Sequence, residues 1–122
     1  MSKLTQSAAW QALSVHYAEI KPQQMRQMFQ DDPMRFENFS LRLDDLLFDF
    51  SKNRINAETI KLLTALAEQS GLKSRIEQMF TGEKINSTEQ RAALHTALRN
   101  RSDQAVVVDG KDVMPDVRRV LG

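Results

Sequence analysis

The sequence predicts a mainly α-helical chain that carries one small β-hairpin and one short strand. Apolar residues recur at three- and four-residue steps at Trp10, Leu13, Tyr17 and Ile20, and again at Ile60, Leu63, Leu66 and Ala67, which is the period of one helical face. Phe39, Leu41 and Leu43 alternate with polar Ser40 and Arg42, and the run Leu46 to Phe50 ends on a period of two, which reads as a pair of strands. Ala105 to Val108 is a continuous apolar run rich in valine, of the kind buried on both faces of a sheet.

The first helix is expected between Thr5 and Ile20. Pro22 supplies a backbone angle suited to the first turn of a new helix, with Met25, Met28 and Phe29 as its short apolar stripe. Asp32-Pro33 repeats that start signal before Arg35 and Phe36, so this region reads as short helices. The hairpin spans Phe39 to Phe50, turning at Asp44-Asp45. Asn56 caps the next helix, and Gly71 ends it. A short helix follows from Leu72 to Phe80 and stops at Gly82. Ser87 and Gln90 have capping-box spacing and predict a further helix from Thr88 to Leu98. The strand Ala105 to Val108 closes on an Asp109-Gly110 turn, and Pro115 opens a last helix bearing Val117, Val120 and Leu121.

Length and charge limit what the chain does. At 122 residues it has room for about one domain and one modest core. Its net charge of +1, from 17 Lys plus Arg against 16 Asp plus Glu, gives no global field toward nucleic acid or an anionic membrane. No apolar run approaches the roughly 18 residues of a membrane span, and the start lacks a signal-like apolar stretch. With no cysteine there is no disulfide, thiolate metal site or cysteine nucleophile, and a cytoplasmic location is expected.

Several residues invite a chemical reading, and each has a structural one beside it. His95, between Leu94 and Ala97, reads as a packed or hydrogen-bonded histidine ahead of a catalytic one, and His16 beside Tyr17 is blander still. The loop Gly82 to Asn86 would hold an anion at the start of the helix predicted after it, but its glycine spacing is not that of a phosphate loop, and it reads as a connection that orders the fold. Arg99, Arg101, Arg118 and Arg119 are interleaved with acids and read as a solvated face or salt bridges. Lys52 and Arg54 are placed to hold the turn after the hairpin, the scattered methionines fill core, and no His, Asp and Glu spacing suggests a metal site.

Three blocks carry a resemblance. They are Phe50 to Ile55 (Phe-Ser-Lys-Asn-Arg-Ile), Met79 to Asn86 running on through Thr88-Glu89 and Arg91 to Leu94–Asn100, and Val108 to Pro115. In order and spacing they resemble the amino-terminal segment of the glucose-6-phosphate isomerase (phosphoglucose isomerase) family, and Trp10, Asp32-Pro33 and Arg35-Phe36 fall where that segment has them. Phe50 stands where the family usually has tyrosine, and Thr96 where it often has valine.

The resemblance implies that residues 1–122 are a single amino-terminal helical segment, a mainly α-helical fragment of an α/β enzyme whose sugar-phosphate isomerase domains are absent here. It implies an intact homodimer that interconverts glucose 6-phosphate and fructose 6-phosphate in glycolysis and gluconeogenesis, with the remainder of the chain as this segment's partner and sugar phosphate bound only by the whole enzyme. The family's glutamate base, ring-opening histidine and lysine lie in motifs that match no position here. The expectation is therefore no catalytic, cofactor-binding or metal residue, no cofactor, no nucleic-acid or membrane partner, and no activity of the 122 residues alone. The competing reading is a stand-alone interaction or regulatory module derived from the same segment.

Overall fold

A computed structural model describes residues 3–122, with side chains from Leu4 onward. The chain divides into two compact units, Met1–Gln69 and Ser70–Gly122.

In the first unit a 3-10 turn, Lys3–Gln6, leads into α1, Ala8–Ile20, where the Ser7 hydroxyl accepts a hydrogen bond from the Trp10 amide at 3.3 Å and caps the helix. The covered stripe of α1 is Leu13, His16 and Ile20, whereas Trp10 and Tyr17 stay exposed. Pro22 lies in the turn after α1 and does not open a helix. The helix α2, Met25–Asp31, starts after Gln24 and buries Met28. The single turn α3, Arg35–Asn38, follows Asp32, whose carboxylate accepts from the Met34 amide at 3.1 Å.

Strands β1, Ser40–Leu43, and β2, Leu46–Asp49, form the expected antiparallel hairpin, with Leu41 opposite Phe48 and Leu43 opposite Leu46. Asp44 takes the left-handed conformation at the turn, φ 49°. Helix α4, Ala57–Gln69, packs against α1, and its covered side is Thr59, Leu62, Leu66 and Ala67. Ile60 and Leu63, expected on the buried side, face outward.

In the second unit α5, Leu72–Thr81, begins and ends at left-handed glycines, Gly71 and Gly82. The helix predicted over Thr88–Leu98 is not formed. An isolated bridge pairs Asn86 with Arg91, turns occupy residues 87–90 and 94–96, and only Ala97–Arg99 makes a 3-10 turn. The Asn86 side-chain oxygen accepts from the Thr88 hydroxyl at 2.8 Å and the Glu89 amide at 3.2 Å, and Gln90, at φ 54°, donates its side-chain Nε2 to the Ser87 carbonyl. Short polar side chains here take the hydrogen-bonding groups that a helix would use.

The predicted strand is present as β3, Val107–Val108, and it has a partner, β4, Lys111–Asp112, across Asp109-Gly110. Both turn residues have positive φ, 52° and 79°, the geometry of a tight hairpin that Asp-Gly favours. Burial on both faces is not realised, because Val106 is buried but Val107 is exposed, so the run alternates like a strand with one face in water. Helix α6, Met114–Leu121, carries Pro115 in its first turn, and the Asp112 carboxylate accepts from the Met114 amide at 3.0 Å. Ala97, Val106, Met114 and Val117 form the buried cluster of this unit, flanked by Leu94 and Val113. Val120 and Leu121 remain exposed.

Candidate functional site

In the first unit the residues that hold polar groups together converge on the stretch Asp49–Ile55. Arg35 is only 3% exposed. Its Nε donates to the Ser51 carbonyl at 2.8 Å, and its Nη2 donates to the carbonyls of Asn53 at 2.8 Å and Ile55 at 2.9 Å. The rings of Phe39 and Phe29 lie 4.6 and 5.5 Å from its guanidinium carbon. Carbonyl dipoles and ring faces thus solvate the buried cation, since no carboxylate lies within ion-pair distance among the described residues. The single fork ties three carbonyls of one turn.

Asp49 closes the same stretch from the other end. One carboxylate oxygen accepts from the Ser51 amide at 2.9 Å and its hydroxyl at 2.6 Å, and the other meets Lys52 Nζ at 2.7 Å. The Lys52 and Ser51 hydrogen bonds hold its pKa down, from 3.8 to about 2. Lys52 therefore holds the turn as its position suggested, and Arg54 reaches the Lys21 carbonyl at 3.3 Å.

The depressed pKa sets a pH dependence. Folding favours the ionised form, so Asp49 contributes its full stabilisation above the ordinary pKa of 3.8 and loses it as pH falls toward about 2. Melting curves of the wild type and Asp49→Asn should therefore differ above pH 4 and converge near pH 2; a constant difference across that range would contradict the assignment.

His16 is buried on α1 with its Nε2 2.7 Å from Thr59 Oγ1, and its Nδ1 lies 3.7 Å from a Glu19 oxygen. Thr59 also accepts from the Asn56 amide at 3.0 Å, while Asn56 Oδ1 accepts from the Thr59 amide at 3.0 Å. The reciprocal pair caps α4 at Asn56, as its sequence position suggested, and ties the cap to α1. His16 thus links α1 to the start of α4. Thr59→Val should destabilise the chain by about 2 kcal/mol, because it removes the acceptor of the Asn56 amide and strands a buried imidazole nitrogen. Urea unfolding of Thr59→Val beside Thr59→Ser, which keeps the hydroxyl, would check this. A cavity of about 590 Å³ opens beside Arg35, Asp32, Asn56 and Met28.

The second unit has a larger cavity of about 1110 Å³, walled by Met79, Phe80, His95, Thr96, Arg99 and Val106 among others. His95 is exposed there, so of the expected packed or hydrogen-bonded histidine the packed form is not realised, and its carbonyl accepts from Arg99 Nη1 at 3.0 Å. The Thr96 hydroxyl is buried without a hydrogen-bond partner. The Gly82–Asn86 loop lacks the helix that its anion-binding reading needed. It is fastened instead by the Glu83 amide on the Gln78 carbonyl at 2.9 Å and by Lys84 on Asp109 at 2.8 Å. Arg118 pairs with Asp103 at 3.4 Å and Arg119 with Asp116 at 3.1 Å, in line with salt bridges on a solvated face. Among the described residues no group of three or more His, Asp or Glu side chains is arranged to hold a metal, and no helix is long and apolar enough to cross a membrane.

These arrangements define a helical segment whose arginine, aspartate, asparagine and histidine groups fasten turns and caps. The sequence places Arg35 in a short helix and in the family resemblance but does not show its role; the further signal is an arginine set among Phe29, Phe36 and Phe39. The phosphoglucose isomerase family profile matches residues 49–122, more than half of the chain. The chain belongs to the phosphoglucose isomerase family. Over 121 residues it is 59% identical to a glucose-6-phosphate isomerase of Methylococcus capsulatus (strain ATCC 33009 / NCIMB 11132 / Bath), covering 99% of this chain. Over 118 residues it is 52% identical to a glucose-6-phosphate isomerase of Gloeobacter violaceus (strain ATCC 29082 / PCC 7421), covering 97% of this chain. The chain spans 22% of the length of each relative.

Proposed function

We propose that this chain is the amino-terminal segment of a cytoplasmic enzyme that interconverts glucose 6-phosphate and fructose 6-phosphate in glycolysis and gluconeogenesis, and that it supplies scaffold and subunit contacts but no catalytic group. The observation that carries this reading is the 59% identity running over 99% of the chain but only 22% of a glucose-6-phosphate isomerase. Aldose–ketose isomerisation needs a base that moves a proton between adjacent carbons, a group that opens the ring, and donors for the developing oxyanion. The candidates here are otherwise engaged: His16 bonds to Thr59, and Asp49 bonds to Ser51 and Lys52. The base and the phosphate site belong to the rest of the polypeptide, which is an α/β homodimer without a cofactor and without nucleic-acid or membrane partners. Residues 1–122 act as one segment of that enzyme.

Purified residues 1–122 should form no fructose 6-phosphate from glucose 6-phosphate above the uncatalysed rate. Turnover that persisted after removal of host isomerase, and that fell on substitution of a residue in this chain, would overturn the non-catalytic reading.

A further inference from the structure

The hairpin has one wholly apolar face. The pairing register places Phe39, Leu41 and Leu43 of one strand beside Phe50, Phe48 and Leu46 of the other, and the opposite face carries Ser40, Arg42, Leu47 and Asp49. At the base this face is covered: Phe39 is buried under Arg35 and meets Phe50 edge to face, with ring centroids 6.0 Å apart. Toward the tip it is bare, with Leu41, Leu43, Leu46 and Phe48 each 62–71% exposed. A two-stranded ribbon needs a third strand or a packed face to be stable, and four adjacent large apolar side chains in water are not a resting surface.

We propose that this face is a docking surface for a segment of the same polypeptide lying outside these 122 residues. The inference rests on the proposed function. Two observations select that occupant over a second copy of the chain. The relatives are more than four times as long as the stretch they share with it, so most of such a polypeptide lies outside the present chain. The bare face also offers only on the order of 500 Å², short of the roughly 800 Å² that each partner contributes to a standard interface between separate molecules. A covalently connected segment needs no such area, because its association carries no translational cost.

The chain contains no cysteine, so one introduced thiol reports the face directly. Leu43→Cys and Phe48→Cys would be made in the isolated chain and in a chimera where this chain replaces the matched stretch of the Methylococcus capsulatus enzyme. Labelling would be followed by peptide mass. Both sites should react rapidly in the isolated chain at every concentration and about a hundredfold more slowly in the chimera, the protection given by a packed segment that opens only locally. Equal rates in the two proteins would overturn the inference. So would labelling that slows with concentration in the isolated chain alongside dimer formation in light scattering, which would make a second copy the occupant. An unsubstituted chimera without isomerase activity would count against the proposed function instead, and the labelling ratio would still decide whether the face is covered.

Discussion

Replacing Arg35 with lysine should destabilise the first unit by about 3 kcal/mol even though the charge is kept. The guanidinium reaches the carbonyls of Ser51, Asn53 and Ile55 from two different nitrogens, and no single ammonium can span three acceptors held in that arrangement. A lysine nitrogen would satisfy one or two of them and leave a buried acceptor unpaired. It would also lose the planar contact with Phe39. Arg35→Met should cost more, since all three carbonyls then lose their donor. Urea unfolding checks both, and Phe36→Ala on the exposed side of the same turn serves as the control. If Arg35→Lys unfolds at the wild-type midpoint, the fork is not what holds the Ser51–Ile55 turn.

A second large effect is expected at Gly82. Its φ of 87° already disfavours a side chain, and a Cβ there would lie 2.7 Å from the Val107 carbonyl oxygen and 3.0 Å from a Val106 methyl. The backbone oxygen cannot turn aside as a flexible side chain would, so β3 itself must move. Gly82→Ala should therefore cost about 3–4 kcal/mol, from left-handed strain plus displacement of a packed strand. Gly71 is the internal control: its φ is 71°, but nothing lies within 4 Å of an added Cβ, so Gly71→Ala should cost only about 1 kcal/mol. Equal losses at the two positions would mean that conformation alone matters and that the approach of Val107 contributes nothing.

Both effects fall where the sequence was only partly legible. Gly82 was readable as a helix end because glycine is the cheapest left-handed residue, but its contact with Val106–Val108 is made across more than twenty residues and leaves no local trace. Alternation fixed the hairpin at Phe39–Phe50, and Asp-Gly marked the second turn, since both signals are local. The helix expected over Thr88–Leu98 failed because Ser87 and Gln90 satisfy the spacing of a capping box, while Asn86 binds the same backbone into turns.

The apolar stripes show a different kind of miss. Ile60 and Leu63 of α4, and Trp10 and Tyr17 of α1, have helical spacing yet face outward, and the covered stripes instead include His16 and Thr59, polar residues that satisfy each other. Periodicity reports which side chains avoid water, and it does not say which neighbour covers them. Together with Leu41, Leu43, Leu46 and Phe48, these positions belong to an excess of exposed over buried large apolar side chains in the described chain. That excess is what a segment of a larger enzyme would show.

The role proposed above makes this chain an interchangeable, non-catalytic segment of a glucose-6-phosphate isomerase. Its most direct test is the isomerase activity of the Methylococcus capsulatus chimera, measured beside that of residues 1–122 alone. The chimera should turn over within about tenfold of the parent enzyme, a difference of at most about 1.4 kcal/mol in barrier height, and the isolated chain should show no turnover. A folded chimera with no activity, or an isolated chain that turns over glucose 6-phosphate, would contradict it.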